Sequence, residues 1–351
     1  MKNYFLYGFC LVLLFGCKKE GIGPQCLNCD ETPITNTAST DVLIINEGTF
    51  GSPNASITLY NKSNNNINQN VFTNANNGSI LGDVAQSFLQ INDKGYIVVN
   101  NSNKVEVVNM SNFKSVATIT GFNSPRYMLK INHSKAYITD LYSNSIQVVN
   151  LNSNTISGNI SVQGWTEQLV LHNDTAYVCD MTNNNILIIN TITDVLVDSI
   201  KVGISPNSLV LDKNNQLWVM CSGGFNKENA RLMQINPANR NIVQTFTFSN
   251  INHSPGVLTL NGNKDNLYFI NNSVYQMSIN SNSLPSTPIV TNSGNIFYGL
   301  GIDPSNNDIY VADAIDYVQN GMVFRYSASG SLIHQFTAGI IPGNFWFIEW
   351  S

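Results

Sequence analysis

Charge is what this chain has least of. Asp, Glu, Lys and Arg supply only 11% of its 351 residues, and the net charge is −5. The basic footprint of a nucleic-acid-binding protein is therefore missing, and no such partner is expected. Histidine is scarcer still, with His133, His172, His253 and His334 the only four. No H-E-x-x-H, no G-x-S-x-G and no Ser/His/Asp grouping occurs. These absences argue against an enzyme and leave no cofactor or metal to be expected. Cysteine is thinly used: Cys26 and Cys29 form a lone C-x-x-C with no second pair or nearby His, which is poor material for zinc and reads as a small local disulfide or as no bond at all. Cys179 and Cys221 fall near the ends of two strand-like runs and read as small core residues, with a disulfide between them left open. The one marked apolar run, Tyr4–Phe15, is too short to span a bilayer.

What the chain does have is a repeat. A small or aliphatic residue, then Tyr or Trp, then strand formers and a polar stop recur at Tyr96, Tyr137, Tyr177, Trp218, Tyr268 and Tyr310. The successive steps are 41, 40, 41, 50 and 42 residues. A period of about 40–45 residues carrying several short strands is the signature of a β-propeller. Each unit reads as four strands separated by Asn, Asp and Gly turns. Asn suits those turns because it tolerates the left-handed region and caps itself. Complete units begin near Gln86, Pro125, Thr166, Ser205, Pro255 and Asn295. Asp41–Phe72 supplies three strands without an inner one, and Pro342–Trp350 supplies an inner strand with nothing after it. Pairing the two ends gives a seventh blade and removes the open edges of an unclosed array. The expected fold is thus all-β, a seven-bladed propeller over 41–351, its last blade closed by the N-terminal strands and the C-terminal strand.

The phase of the repeat sorts the loops. Turns after first and third strands share one face and are short and polar, with Phe113 the only ring. The opposite face collects the aromatics and the longer insertions, Asn46–Ser56, Cys221–Ala230 and Asp313–Met322. Long loops bearing large rings on one rim of a rigid scaffold mark a binding site. The candidate ligand contacts are Phe50, Arg126, Tyr127, Tyr142, Trp165, Phe225, Tyr298, Tyr317 and Trp346. Second strands on that side end in Asn46, Asn100, Asp140, Asp180, Asn271 and Asp313, which read first as partners of turn N–H groups and only second as cation ligands. Asp83, Asp140, Glu167 and Asp313 are the carboxylates from which an acid/base pair would have to come. His253 is the one histidine on the aromatic side.

Several runs resemble a known family. They are Asn46-Glu47-Gly48-Thr49-Phe50-Gly51, Gly82-Asp83-Val84-Ala85-Gln86-Ser87 and Ser124-Pro125-Arg126-Tyr127, with Gly321-Met322-Val323 near the end. Over Asp41–Trp350 the chain resembles the YncE-like seven-bladed propeller lipoproteins of Bacteroidetes, and within them the BtuG type. The first two runs are the specific part. The N-terminus agrees: Lys2, the apolar run and Leu14-Phe15-Gly16 before Cys17 resemble a lipobox, which implies a signal peptide over 1–16, lipidation of Cys17 and a flexible tether over 17–40. A cleaved signal for soluble secretion is the alternative. The resemblance implies a lipid-anchored, outer-membrane, cell-surface protein that captures a corrinoid and passes it to a TonB-dependent transporter. A corrinoid is a wide disc fringed by amides, which suits a rim of aromatic and amide side chains. A protein–protein scaffold and a propeller lyase or hydrolase are the rival expectations.

Overall fold

A Tyr or Trp flanked by strand formers is stable when its ring is buried between two sheets. In the computed structural model of the protein, which describes residues 41–348, the repeat puts its rings there. Tyr96, Tyr137, Tyr177, Trp218, Tyr268 and Tyr310 are no more than 4% exposed, each in the second strand of an antiparallel sheet. Three of them also tie their blade to the next. The Tyr96 hydroxyl donates to Asn154 Oδ1 at 3.1 Å, Tyr137 donates to the Asp194 carboxylate, and Tyr177 donates to the Pro237 carbonyl at 3.3 Å. The repeated aromatic is thus core in all six blades and an inter-blade fastener in these three.

Seven such sheets form the blades of a β-propeller. Blades 2 to 7 have inner strands Ala85–Ile91, Pro125–Lys130, Thr166–His172, Pro206–Leu211, Gly256–Leu260 and Phe297–Ile302. Blade 1 is the closure. Its inner strand is the C-terminal Pro342–Phe347, and outside it lie Asp41–Asn46, Ser56–Asn61 and Asn66–Asn68. Val42 stands opposite Phe347 and Ile44 opposite Phe345, so the chain ends pair as the count of units requires. Asn61, Asn109, Asn150, Asn190 and Asn236 end third strands, and each side-chain oxygen accepts the N–H two residues on, at 2.9–3.1 Å. The Asn richness is turn chemistry.

Two elements depart from the sequence reading. Blade 6 has three strands, and its expected fourth is reduced to a single bridge between Val274 and Val290. Pro285 and Pro288 lie in that stretch and lack the N–H groups a ladder needs. In blade 1 the outer strand stops at Asn68. Asn70, at φ 55°, then turns the chain into a one-turn helix, Val71–Ala75, which buries Phe72. Cys179 and Cys221 are buried free thiols packed in one core cluster, and no disulfide joins them. Among the described residues no helix is long and apolar enough to cross a membrane. The expected signal peptide over 1–16, Cys17, the tether over 17–40 and the Cys26/Cys29 pair lie outside the described residues.

Candidate functional site

Every inner strand loses register at one point, its second residue. In blade 2, Ala85 faces Val99 but Ser87 already faces Val98, leaving Gln86 as the extra residue. Asn207, Tyr298 and Gly343 are the extra residues of blades 5, 7 and 1. In blades 3, 4 and 6 the irregular pairs are Arg126–Tyr127, Glu167–Gln168 and Val257–Leu258. A bulge sets two residues against one and re-aims a side chain. Repeated seven times at the same height, it builds a ring of non-periodic side chains at the mouth of the central channel, on the face that carries the long loops.

The ring is bonded across blades. Arg126 of blade 3 donates from Nε to Glu167 Oε1 of blade 4 at 2.9 Å, with Nη2 2.8 Å from the same oxygen. Its Nη1 donates to Gln86 of blade 2. Trp165 Nε1 also donates to Glu167, and the Arg126 guanidinium lies over the rings of Tyr127 and Trp165, 5.9 and 6.0 Å from their centroids. Asn207 Nδ2 donates to the Pro255 carbonyl at 3.0 Å. The inner strand of blade 1 contributes no ring side chain, because its bulged residue is Gly343. A Cβ there would come 2.7 Å from Glu47 Oε1, so the carboxyl of Glu47, just after the first strand, occupies that place. Tyr298 completes the circle, donating its hydroxyl to Glu47 Oε2 at 2.9 Å and meeting Tyr317 edge to face at 5.9 Å.

Burial drives the electrostatics. Glu47 is enclosed by protein but keeps an edge open to the channel. Loss of hydration pushes its pKa from 4.5 up to about 7; the Tyr298 hydroxyl and the Arg126 charge oppose this, and Glu167 adds to it. Glu167 is raised for the same reason, against the pull of Arg126 and the Trp165 N–H. Burial alone would lower Arg126, but Glu167, Tyr127 and Glu47 outweigh it and raise it. Tyr127 and Tyr298 are raised, chiefly by burial.

Of the nine residues expected from sequence, five meet around this ring: Arg126, Tyr127, Trp165, Tyr298 and Tyr317. Phe50, Tyr142 and Phe225 stand on loop tips of the same face, exposed by 75%, 75% and 91%. Phe225 and Tyr317 hold left-handed backbone at φ 53° and 63°, a conformation large side chains seldom take and one that gathers at functional loops. Trp346 lies elsewhere. Its strand starts at the rim with Pro342, and by Trp346 it has run down the channel, where Nε1 donates to Gln90 Oε1 at 3.1 Å and the ring packs on Phe88. There it lines an axial cavity of about 340 Å³ with Leu300, Ile302 and Phe347.

Sequence reasoning did not select Glu47, Gln86 or Asn207 as ligand contacts, and it weighed Glu167 only as an acid or base. The signal was present. Glu47 and Gln86 belong to the Asn46–Gly51 and Gly82–Ser87 runs, and these runs also hold each other, Gly51 N–H donating to Asp83 Oδ2 at 3.0 Å. The strand-end acids are otherwise engaged. Asp140 accepts four backbone N–H groups, from Asn123, Ser124, Tyr142 and Ser143, and Asp313 accepts those of Ile296 and Ile315. Among the described residues no group of three or more His, Cys, Asp or Glu could hold a metal ion. His253 lines a separate cavity of about 250 Å³ with Phe248, Phe269 and Tyr275.

Fold and ring define a closed seven-bladed propeller with one polar channel mouth under an aromatic rim. Residues 40–347 match the family described as "Domain of unknown function (DUF5074)", and the chain belongs to that family. Among curated proteins nothing matches. Solved structures of similar fold include a quinonprotein alcohol dehydrogenase-like protein from Bacteroides thetaiotaomicron, 13% identical, with TM-score 0.69 over 88% of this chain and 78% of that one. A Bacteroides fragilis protein provisionally described as a 6-phosphogluconolactonase is 15% identical, with TM-score 0.68 over 91% of this chain and all of that one. A protein from Lactobacillus plantarum is 12% identical, with TM-score 0.69 over 89% and 100%. At such identities the likeness is one of fold alone.

Proposed function

We propose that this propeller is a binding protein, not an enzyme, and that its aromatic face takes a large, amide-bearing ligand of the corrinoid class. The observation that carries this reading is the placement, on that one face, of Phe50, Tyr142 and Phe225, the three most exposed large apolar side chains among the described residues. They stand above a polar channel mouth. Rings of this size left in water are available to cover a broad apolar disc, while the polar groups beneath fix its orientation. Lipidation at Cys17, display on the outer membrane and delivery to a TonB-dependent transporter belong to the same proposal; they rest on the N-terminal sequence and the resemblance.

Calorimetric titration with cyanocobalamin tests it. Binding at micromolar ligand or tighter, about −8 kcal/mol, is expected for the wild type, and loss of it in a Phe50→Ser/Tyr142→Ser/Phe225→Ser variant that melts normally. Absence of binding in the wild type removes the corrinoid reading. A variant that keeps cyanocobalamin but no longer retains the transporter in pull-down would make the rings a docking surface and favour the scaffold.

A further inference from the structure

We propose that Glu47 and Arg126 form an axial subsite that grips one primary carboxamide of the ligand, the carbonyl accepting from Arg126 and the N–H donating to Glu47. This rests on the binding reading above and deepens it.

Both side chains have unspent hydrogen-bonding capacity. A guanidinium carries five N–H donors. Arg126 commits Nε and Nη2 to Glu167 and one N–H of Nη1 to Gln86, which leaves one on each terminal nitrogen. Glu47 accepts the Tyr298 hydroxyl at Oε2, while no donor among the described residues meets its Oε1, the oxygen lodged against Gly343. The two charges lie close enough to act on one another, yet no Arg126 nitrogen approaches a Glu47 oxygen within the 4.0 Å of an ion pair. Two partly buried, opposite groups that could have paired are held apart, each with capacity left over that faces the open edge of the channel. A ligand that meets this capacity as it displaces water gains hydrogen bonds to charged groups.

The group that fits between them must accept on one side and donate on the other. A carboxylate would set a third negative group beside Glu47 and Glu167. An ammonium would face Arg126. A primary amide is neutral, planar and carries both functions. Tyr127, Trp165, Tyr298 and Tyr317 line the site with apolar surface, so those bonds form partly shielded from bulk water.

The test uses the mature protein, with Glu47→Leu and Glu47→Gln, titrated with cyanocobalamin and separately melted in millimolar propionamide or propionate. Glu47→Leu should weaken cyanocobalamin about tenfold, the loss of one buried hydrogen bond. Glu47→Gln keeps an acceptor oxygen and should recover most of it. Propionamide should raise the wild-type melting temperature but not that of Glu47→Leu, and propionate should do neither. If cyanocobalamin fails to bind but propionamide protects through Glu47, the corrinoid reading falls and the subsite stands. If cyanocobalamin binds a folded Glu47→Leu as tightly as the wild type, or propionate protects as well as propionamide, the subsite is overturned and the corrinoid reading stands. Should Glu47→Leu not fold, the pH profile decides. The groups facing Glu47 are Tyr298 of blade 7, Arg126 and Tyr127 of blade 3 and Glu167 of blade 4. With these in place, wild-type affinity should rise as Glu47 ionises near neutral pH and that of Glu47→Gln should stay level; equal profiles overturn the subsite.

Discussion

Glu47→Gln should convert a pH-sensitive protein into one that is less so, with a sign fixed by the direction of the pKa change. An unfolded Glu titrates near 4.5, and Glu47 in the ring titrates near 7. The folded state therefore holds its proton more tightly. The stabilising contribution is complete below the unfolded value and is lost as pH rises through the folded one. At about 1.4 kcal/mol per pH unit, a displacement from 4.5 to about 7 corresponds to roughly 3 kcal/mol. Water at the open channel edge screens part of this, leaving about 2 kcal/mol. Gln has the same shape, can still accept from Tyr298 and does not titrate. Urea unfolding of both proteins at several values between about pH 5 and pH 8 should show the variant gaining about 2 kcal/mol on the wild type across the range. A difference that stays constant to within about 0.5 kcal/mol would mean that Glu47 is not a desolvated carboxyl, and the account of the ring would fail with it.

Truncation after Ile341 removes the inner strand of blade 1, with Phe345 and Ile348 buried in two core clusters. At about 2–5 kcal/mol for each large core side chain, the circle should not close, and the product should show no cooperative melting as a monomer. Gly343→Ala drives a methyl group to 2.7 Å from Glu47 Oε1 and should cost about 1–3 kcal/mol; the cost should shrink in the Gly343→Ala/Glu47→Ala double variant, measured as a mutant cycle. Saturating ligand should slow amide exchange in the closure strand, Phe345 to Phe347, more than in the outer strand Leu332–Ile340. Equal protection of both would separate binding from closure.

The parts of the molecule that repeat were legible in its sequence, and the parts that break the repeat were not. Tyr96 and its five counterparts announce the blades because each occupies the same buried slot, and the unmatched strands at the two ends announce the closure. Blade 6 was misread because a strand was inferred from periodicity where Pro285 and Pro288 forbid a ladder. The ring was missed for a different reason. A bulge is a property of pairing between strands, so nothing local marks Gln86 or Asn207 as lying out of register; a Pro at the first strand position, as at Pro125, Pro206 and Pro342, is the nearest clue. Trp346 shows the converse case. It is close in sequence to the rim residue Pro342, yet at about 3.3 Å per residue a strand carries it well down the channel. Glu47 was visible inside a recognisable run, but sequence gave no way to see that Gly343, at the other end of the chain, makes room for it.

On the proposed binding reading, that last pairing joins stability to ligand capture in one place. The ring needs Glu47 from the first strand and the vacancy at Gly343 from the last, and these are adjacent only when the propeller is closed. An open chain has no complete site. A ligand that spans the ring must then favour the closed state by its whole binding free energy, since it has little affinity for anything else. The converse also holds: a destabilised closure lowers the population of competent sites and weakens apparent affinity without touching a contact residue. Placing a buried carboxyl of raised pKa at this junction costs stability, and on this account the cost is tolerated because the same carboxyl is what the ligand meets. Seven bulges at a single height serve that arrangement. In blades 2, 3, 4, 5 and 7 they let inner strands that are otherwise core present polar side chains at one mouth of the channel, and in blade 1 the bulge at Gly343 makes room for Glu47, while the strands below remain packed.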